Sequence, residues 1–324
     1  MVKLASAEMA EKKLATRAAF GATLAELAEE GVPVVAVDAD LTGSTTTKKF
    51  AAAAPENADK LFNCGIAEQN MIDVAAGLAL TGHVAYTGSF AVFGTGRAYD
   101  QIRNTVCYSN LDVKICPTHA GVSVGPDGGS HQMLEDVSLM RGLPNMRVLV
   151  PADYAAARAA IKLAAKTPGP VYVRMGRAAV PCVYDDDVEL EIGRAYVLRE
   201  GSDATVVACG VEIREALAAA DMLAEEGVSI EVIDAFSVKP LDEDTITASV
   251  AKTGCCVVAE EHSVHGGLGS AVAECLARKN PAPCEFVGVQ DRFGKSGEFE
   301  ELLGYFNLDA AAIVEAVKRA RGRK

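Results

Sequence analysis

Glu68 stands in the segment NCGIAEQNM, where a stretch of helical period begins. Phe90 and Phe93 follow in GSFAVFGTGRAYDQIRN, then His119, Asp127 and His131 in THAGVSVGPDGGSHQMLED, and Arg174 and Arg177 in VRMGR. Asp40, Thr42 and Ser44 come earlier, in DADLTGS. These types include carboxylates and imidazoles that exchange protons, aromatic faces that stack, and guanidinium groups that bind oxyanions. Each also has an ordinary account. Free amides at a helix start favour a carboxylate such as Glu68, phenylalanines fill cores, and lone arginines make surface ion pairs. Asp127 suits a glycine-rich turn, His131 a satisfied loop imidazole, and Asp40 a strand-end turn.

The elements that must position these residues are legible as alternating runs. Short apolar, β-branched segments (VPVVAVDAD, HVAYTGSF, DVKICPTHAG, MRVLVPAD, PVYVRMG) are separated by helical patterns such as EQNMIDVAAGLAL and YAAARAAIKLAAK. Strands without strict in-out alternation, separated by helices, predict a parallel sheet covered on both faces. The same grammar restarts after the acidic segment PCVYDDDVELEIG, with ATVVACG, VSIEVIDAFSV, GCCVVAEEHS and CEFVGVQD. The expected fold is therefore α/β with two domains, residues 1–183 and 184–324, each a mainly parallel sheet flanked by helices. In such sheets ligands sit at the carboxyl ends of strands. The candidate residues fall just after strands of the first domain, which makes that half catalytic and leaves the second for packing or assembly.

Composition narrows the function. A chain of 324 residues, 50% hydrophobic, can bury two ordinary cores. Its net charge of -13 repels nucleic-acid phosphates, and the basic residues at the C-terminal end read as a solvated helix end. An anionic substrate would need arginines concentrated locally against that field. Nine cysteines without a Cys-x-x-Cys spacing indicate neither a zinc ribbon nor a disulfide framework. No apolar run of about 18 residues and no apolar signal core is present, so the expectation is a cytoplasmic protein without nucleic-acid or membrane partners. The segment HGGLGS lacks the spacing of dinucleotide or phosphate-loop fingerprints and is read as structural.

Taken in order, GIAEQNM, GSFAVFGTGRAYDQIRN, THAGVSVGPDGGSHQMLED and LPNMRVLVPAD resemble the pyrimidine-binding domain of transketolases. The remainder, from GSDATVVACG through EEHSVHGGLGSAV, is similar to the transketolase C-terminal domain. The resemblance implies thiamine diphosphate as cofactor, with Glu68 matching the glutamate that hydrogen-bonds the pyrimidine ring nitrogen. Proton sharing there favours the imino tautomer of the 4'-amino group, which takes the proton from the thiazolium C2. Phe90 and Phe93 match aromatics packed on the pyrimidine, where stacking contributes roughly 0.5 to 1.5 kcal/mol per pair. Many family members carry a third aromatic three residues later, where this chain has Gly96. Asp40 matches a residue near the thiazolium. Arg17, Ser44, His119 and Arg177 match positions holding the sugar-phosphate end, and arginine's fork suits a phosphate dianion. Asp127 and His131 match residues that read hydroxyls near the reacting carbon, which groups His131 with Glu68 as catalytic.

The Gly-Asp-Gly motif through which the family holds the diphosphate and magnesium is absent, so no metal ligands are expected in this chain. The resemblance therefore implies the second subunit of a split transketolase, moving a two-carbon ketol unit between sugar phosphates. Its partner would be an N-terminal subunit bearing Gly-Asp-Gly and holding most of the diphosphate and Mg2+, in a heterotetramer. The alternatives are a 2-oxo-acid dehydrogenase β subunit, a deoxyxylulose-phosphate synthase-like subunit, or a non-catalytic assembly protein of the same fold.

Overall fold

The computed structural model describes residues 2–324, which form two large sheets and a small ribbon. The first half carries β1 (Lys13–Ala15), β2 (Val34–Asp38), β3 (Leu61–Asn63), β4 (Val84–Gly88), β5 (Val113–Ile115), β6 (Arg147–Leu149), β7 (Val171–Val173) and β8 (Ala179–Pro181). The second carries β9 (Tyr196–Arg199), β10 (Ala204–Ala208), β11 (Ile230–Asp234), β12 (Ser237–Lys239), β13 (Cys256–Ser263) and β14 (Cys284–Val289). One sheet runs β12-β6-β7-β5-β4-β2-β3 and is parallel except at β12. The other runs β14-β13-β10-β11-β9 and is parallel except at β9, while β1 and β8 form the antiparallel ribbon.

Burial explains the unbroken apolar runs. Val34 and Ala36 face one core and Val35 and Val37 the other, as successive strand side chains must. Helices Ala18–Glu29 and Tyr154–Ala165 cover the first face, and Glu68–Leu80 with Asp136–Arg141 cover the second. Neither face is left wet, so no polar alternation is needed. Regular pairing is shorter than the apolar runs suggest. After Ile115 the chain leaves the ladder, because Pro117 has no amide to donate and His119 turns left-handed at φ 61. That departure delivers a side chain to the sheet end.

The two large sheets exchange one strand, since β12, from the second half of the chain, adds antiparallel to β6 of the first sheet. The connecting segment is gripped from both sides. Asp153 caps the helix Tyr154–Ala165 through the Ala156 amide at 2.8 Å and also accepts the Val183 and Tyr184 amides at 2.6 and 2.8 Å. The Tyr184 hydroxyl donates to Asp234 at the end of β11, at 2.5 Å. Burial pushes the Asp234 carboxyl up to about 7.

This shift sets a pH dependence. The unfolded carboxyl ionises near pH ~4, so the contribution of Asp234 to stability is full below that pH and is lost as pH rises through about 7. Asp234→Asn keeps an acceptor for Tyr184 without the titration. Its melting temperature is expected to gain on wild type between about pH 5 and about pH 8. A constant offset across that range would reject the assignment.

Candidate active site

In the first sheet the chain steps from β2 to β3 on one side, then to β4 on the other side of β2. Such a reversal opens a crevice at the carboxyl ends of the strands. Five expected site residues follow strands at that end: Asp40 after β2, Glu68 after β3, Phe90 after β4, His119 after β5 and Arg177 after β7.

Glu68 is the first residue of its helix and only 2% exposed. The helix dipole favours a carboxylate there, but an enclosed charge also needs a counter-charge. Arg97 supplies it, donating from Nη1 to Oε1 at 3.0 Å and to Oε2 at 2.9 Å. The same guanidinium lies 4.6 Å from the Phe93 ring centroid, a cation–π contact that joins Glu68 to the aromatic wall. Arg97 ends a π-helical turn, Val92–Arg97, which includes Gly96. A Cβ at Gly96 would meet the Met133 methyl group only at 3.9 Å, so the missing third aromatic leaves room rather than a clash. Arg97 escaped the sequence reading because it stands 29 residues from Glu68. Only the placement of β3 and β4 on either side of β2 brings the two together.

Phe90 and Phe93 stack with centroids 6.2 Å apart, and the His119 ring lies 3.8 Å from Phe90. His131 meets both phenylalanines edge-on, at 6.1 and 5.4 Å. Thr118 Oγ1 pairs with His119 Nδ1 at 2.7 Å, an orienting contact the sequence did not flag. Burial, then the charges of Arg17, Arg177 and His131, pushes His119 down to about 3. The imidazole is therefore neutral at physiological pH and contributes hydrogen bonds rather than charge.

Arg17 and Arg177 share this end of the cleft. Arg17 donates to the Ser44 carbonyl at 2.8 Å, and Arg177 to the Val124 carbonyl at 3.1 Å. Among the described residues neither makes a salt bridge. Burial and the Arg177 charge lower the Arg17 pKa, with Asp127 partly opposing them. Ser44 thus enters through its carbonyl. Arg174 is enclosed instead, bonded through Nε to Asp136 at 2.7 Å. Asp40 is left-handed at φ 64. Its amide donates to Asn63 at 3.1 Å, and Asn63 also accepts the Gly65 amide at 3.0 Å, which ties Asp40 to the turn leading into Glu68. Among the described residues, no group of three or more histidine, cysteine or carboxylate side chains is placed to hold a metal ion.

Residues 12–183 match the transketolase pyrimidine-binding domain, and residues 193–313 match the transketolase C-terminal domain. The chain belongs to the transketolase family. It is 45% identical to a putative transketolase C-terminal section of Methanocaldococcus jannaschii over 304 residues, covering 93% of this chain and 94% of that one. It is 42% identical to a 6-deoxy-6-sulfo-D-fructose transketolase subunit of Clostridium sp., covering 93% and 92%. Among solved structures, a split-gene transketolase in the form of an inactive β4 tetramer superposes with a TM-score of 0.87 at 48% identity, covering 96% of this chain and 99% of that one. Thiamine diphosphate is the cofactor this family implies. The site fits one end of it: an enclosed carboxylate for a ring nitrogen and stacked phenylalanines for a flat ring.

The Glu68–Arg97 pair can be weighed. Arg97→Gln leaves the carboxylate enclosed without its cation, but Arg97 is itself 49% exposed, so the loss falls below that of a fully buried pair. A stability loss of about 1 to 3 kcal/mol is expected from urea unfolding, with an unchanged slope. No change in midpoint would show that the pair contributes nothing.

Proposed function

We propose that this chain is the C-terminal subunit of a split thiamine-diphosphate-dependent transketolase, transferring a two-carbon ketol unit between sugar phosphates together with a partner subunit. The observation carrying this reading is the pair of guanidinium groups without acidic partners, Arg17 and Arg177, beside a neutral His119 and an aromatic wall that leads to Glu68. In a chain of net charge -13, an Arg17 that burial and the Arg177 charge disfavour implies an anion that relieves it. A phosphate end suits the arginines, and hydroxyls suit Asp127 and His131.

The roles follow from position. Arg17 and Arg177 hold the phosphate, with His119 donating or accepting as a neutral ring. Asp127, exposed at the end of its turn, and His131 face the same cleft and read hydroxyls. Phe90 and Phe93 exclude water from the cofactor ring. Glu68 holds and returns a proton at a ring nitrogen. Arg97, half exposed, would have to yield its place on Glu68 to the ring nitrogen. Once bound, the cofactor supplies a carbanion-type nucleophile able to cleave and form bonds beside a carbonyl. Asp40 belongs on the cofactor side of the cleft, near Glu68.

Neither a Gly-Asp-Gly motif nor a cluster of metal-binding side chains is available among the described residues, so Mg2+ and the diphosphate fall to the partner. A two-plus-two assembly acting on pentose-phosphate-type sugars in the cytoplasm is the form we propose. Among the described residues, no helix is long and apolar enough to cross a membrane.

The deciding experiment mixes this chain with a candidate partner carrying the diphosphate domain, Mg2+, thiamine diphosphate and paired sugar phosphates. Two-carbon exchange is expected only in the mixture, and Glu68→Gln should lower it about 100-fold or more while assembly persists. Robust turnover by this chain alone would overturn the partner requirement. Arg177→Ala should raise KM about 10-fold or more for phosphorylated sugars and far less for hydroxypyruvate. Equal effects on both would reassign that arginine.

A further inference from the structure

The segment carrying Asp127 and His131 is neither α-helix nor strand, but a kinked 3-10 turn followed by loop. It passes through Gly121, Gly125 and Gly128, at φ 79, 80 and 79, and its short turn Val122–Asp127 is broken at Gly125. A segment of this kind cannot satisfy its own amides and carbonyls by a regular ladder, so partners must come from elsewhere. The second half of the chain supplies them at two points.

At the first, the amide of Ser123 donates to the carboxylate of Glu261, which projects from β13 and is only 3% exposed. The approach is so close that a Cβ at Gly121 would lie 2.2 Å from the Glu261 carboxyl carbon. Glycine is therefore required there both for backbone angle and for clearance. At the second, Gln132 donates to the carbonyls of Val122 at 3.1 Å and Lys295 at 2.9 Å, and accepts the Lys295 amide at 2.7 Å. The substrate segment is thus clamped between β13 and the stretch before the helix Phe299–Phe306.

Glu261 is also tied to the phosphate side. Arg174, three positions before Arg177 in sequence, donates from Nη2 to the Glu261 carbonyl at 2.9 Å, and its Nη1 lies 3.9 Å from the Glu261 carboxylate. One residue of the second half therefore touches both stretches that deliver side chains to the cleft.

We propose that Glu261 is a positioning residue for the substrate: by accepting the Ser123 amide it sets the turn that aims Asp127 and His131, so the second domain acts on the reaction without touching the sugar. This rests on the functional reading of Asp127 and His131 given above. What matters is the reach and the acceptor oxygen more than the charge.

The test uses the assembled enzyme and three variants, Glu261→Asp, Glu261→Gln and Glu261→Ala. Aspartate keeps the charge but shortens the side chain, whereas glutamine keeps the reach and the acceptor. For Glu261→Asp and Glu261→Ala, KM for the ketose phosphate should rise about 10-fold, with kcat and the calorimetric affinity for thiamine diphosphate within about 2-fold of wild type. Glu261→Gln should restore KM to within about 3-fold. The inference is overturned if Glu261→Asp leaves KM unchanged. It is equally overturned if KM, kcat, cofactor affinity and melting temperature all deteriorate together in Glu261→Gln as in Glu261→Asp, the mark of a purely architectural role. Should Glu261→Ala fail to fold, the aspartate and glutamine pair decides alone. A wild-type assembly without ketol transfer would instead sink the functional reading itself and take this inference with it.

Discussion

An enclosed guanidinium has to be paired on every side, and Arg174 finds its partners in two distant stretches of chain. Asp136 accepts from Nε at 2.7 Å and from Nη2 at 3.2 Å, Tyr172 donates to the same carboxylate at 2.5 Å, and the carbonyl of Glu261 closes the set. Burial by itself would raise the Asp136 carboxyl, but Arg174, with His262 and Tyr172, outweighs it and leaves it lowered. Any misplacement of β7, of the helix Asp136–Arg141 or of β13 would strand a charge in the interior. Those elements flank Arg177, His131 and Glu261, so closing this network also sets the shape of the cleft.

Around that frame the site works with opposed charges kept apart by geometry. Glu68 is satisfied by Arg97 through a contact that one half-exposed side chain can release. Among the described residues Arg17 and Arg177 bond to carbonyls and make no salt bridge, and their positive field helps keep His119 neutral. The negative net charge of the chain thus coexists with a locally positive end of the cleft, where Arg17 and Arg177 lie close enough for the Arg177 charge to act on Arg17. Some of the backbone strain lies in the same place, alongside five other non-glycine residues of positive φ elsewhere among the described residues. Asp40 and His119 are both left-handed without being glycine, a conformation that persists only where surrounding contacts over-determine it.

Several parts of this arrangement were legible before any coordinates. Glu68, Phe90 and His119 could be placed at strand ends because an apolar run followed by a polar residue and a helical period is a local signal. The α/β class followed from the same signal, since strands buried on both faces lose their polar alternation. The segment HGGLGS was read as structural, and Glu260 indeed accepts the Leu268 and Gly269 amides that open the following helix. Other features were invisible for a physical reason. The ion pair between Glu68 and Arg97, the clamp on Gln132 and the reach of Glu261 join residues from 29 to 163 positions apart, and nothing local records such distances. The exchange of β12 into the first sheet is of the same kind.

The amino-acid order alone determined which residues end strands, which faces are apolar, which chemistry the polar residues can perform and which diphosphate motif is missing. Each of those properties is set by neighbours a few residues away, where side-chain period and backbone preference act directly. Only the tertiary structure decided which charges meet, which arginines make no salt bridge among the described residues, and that Glu261 and Lys295 hydrogen-bond Ser123 and Gln132. These depend on the order of strands across the sheet, which is chosen by the burial of the whole core and the pairing of every enclosed charge at once.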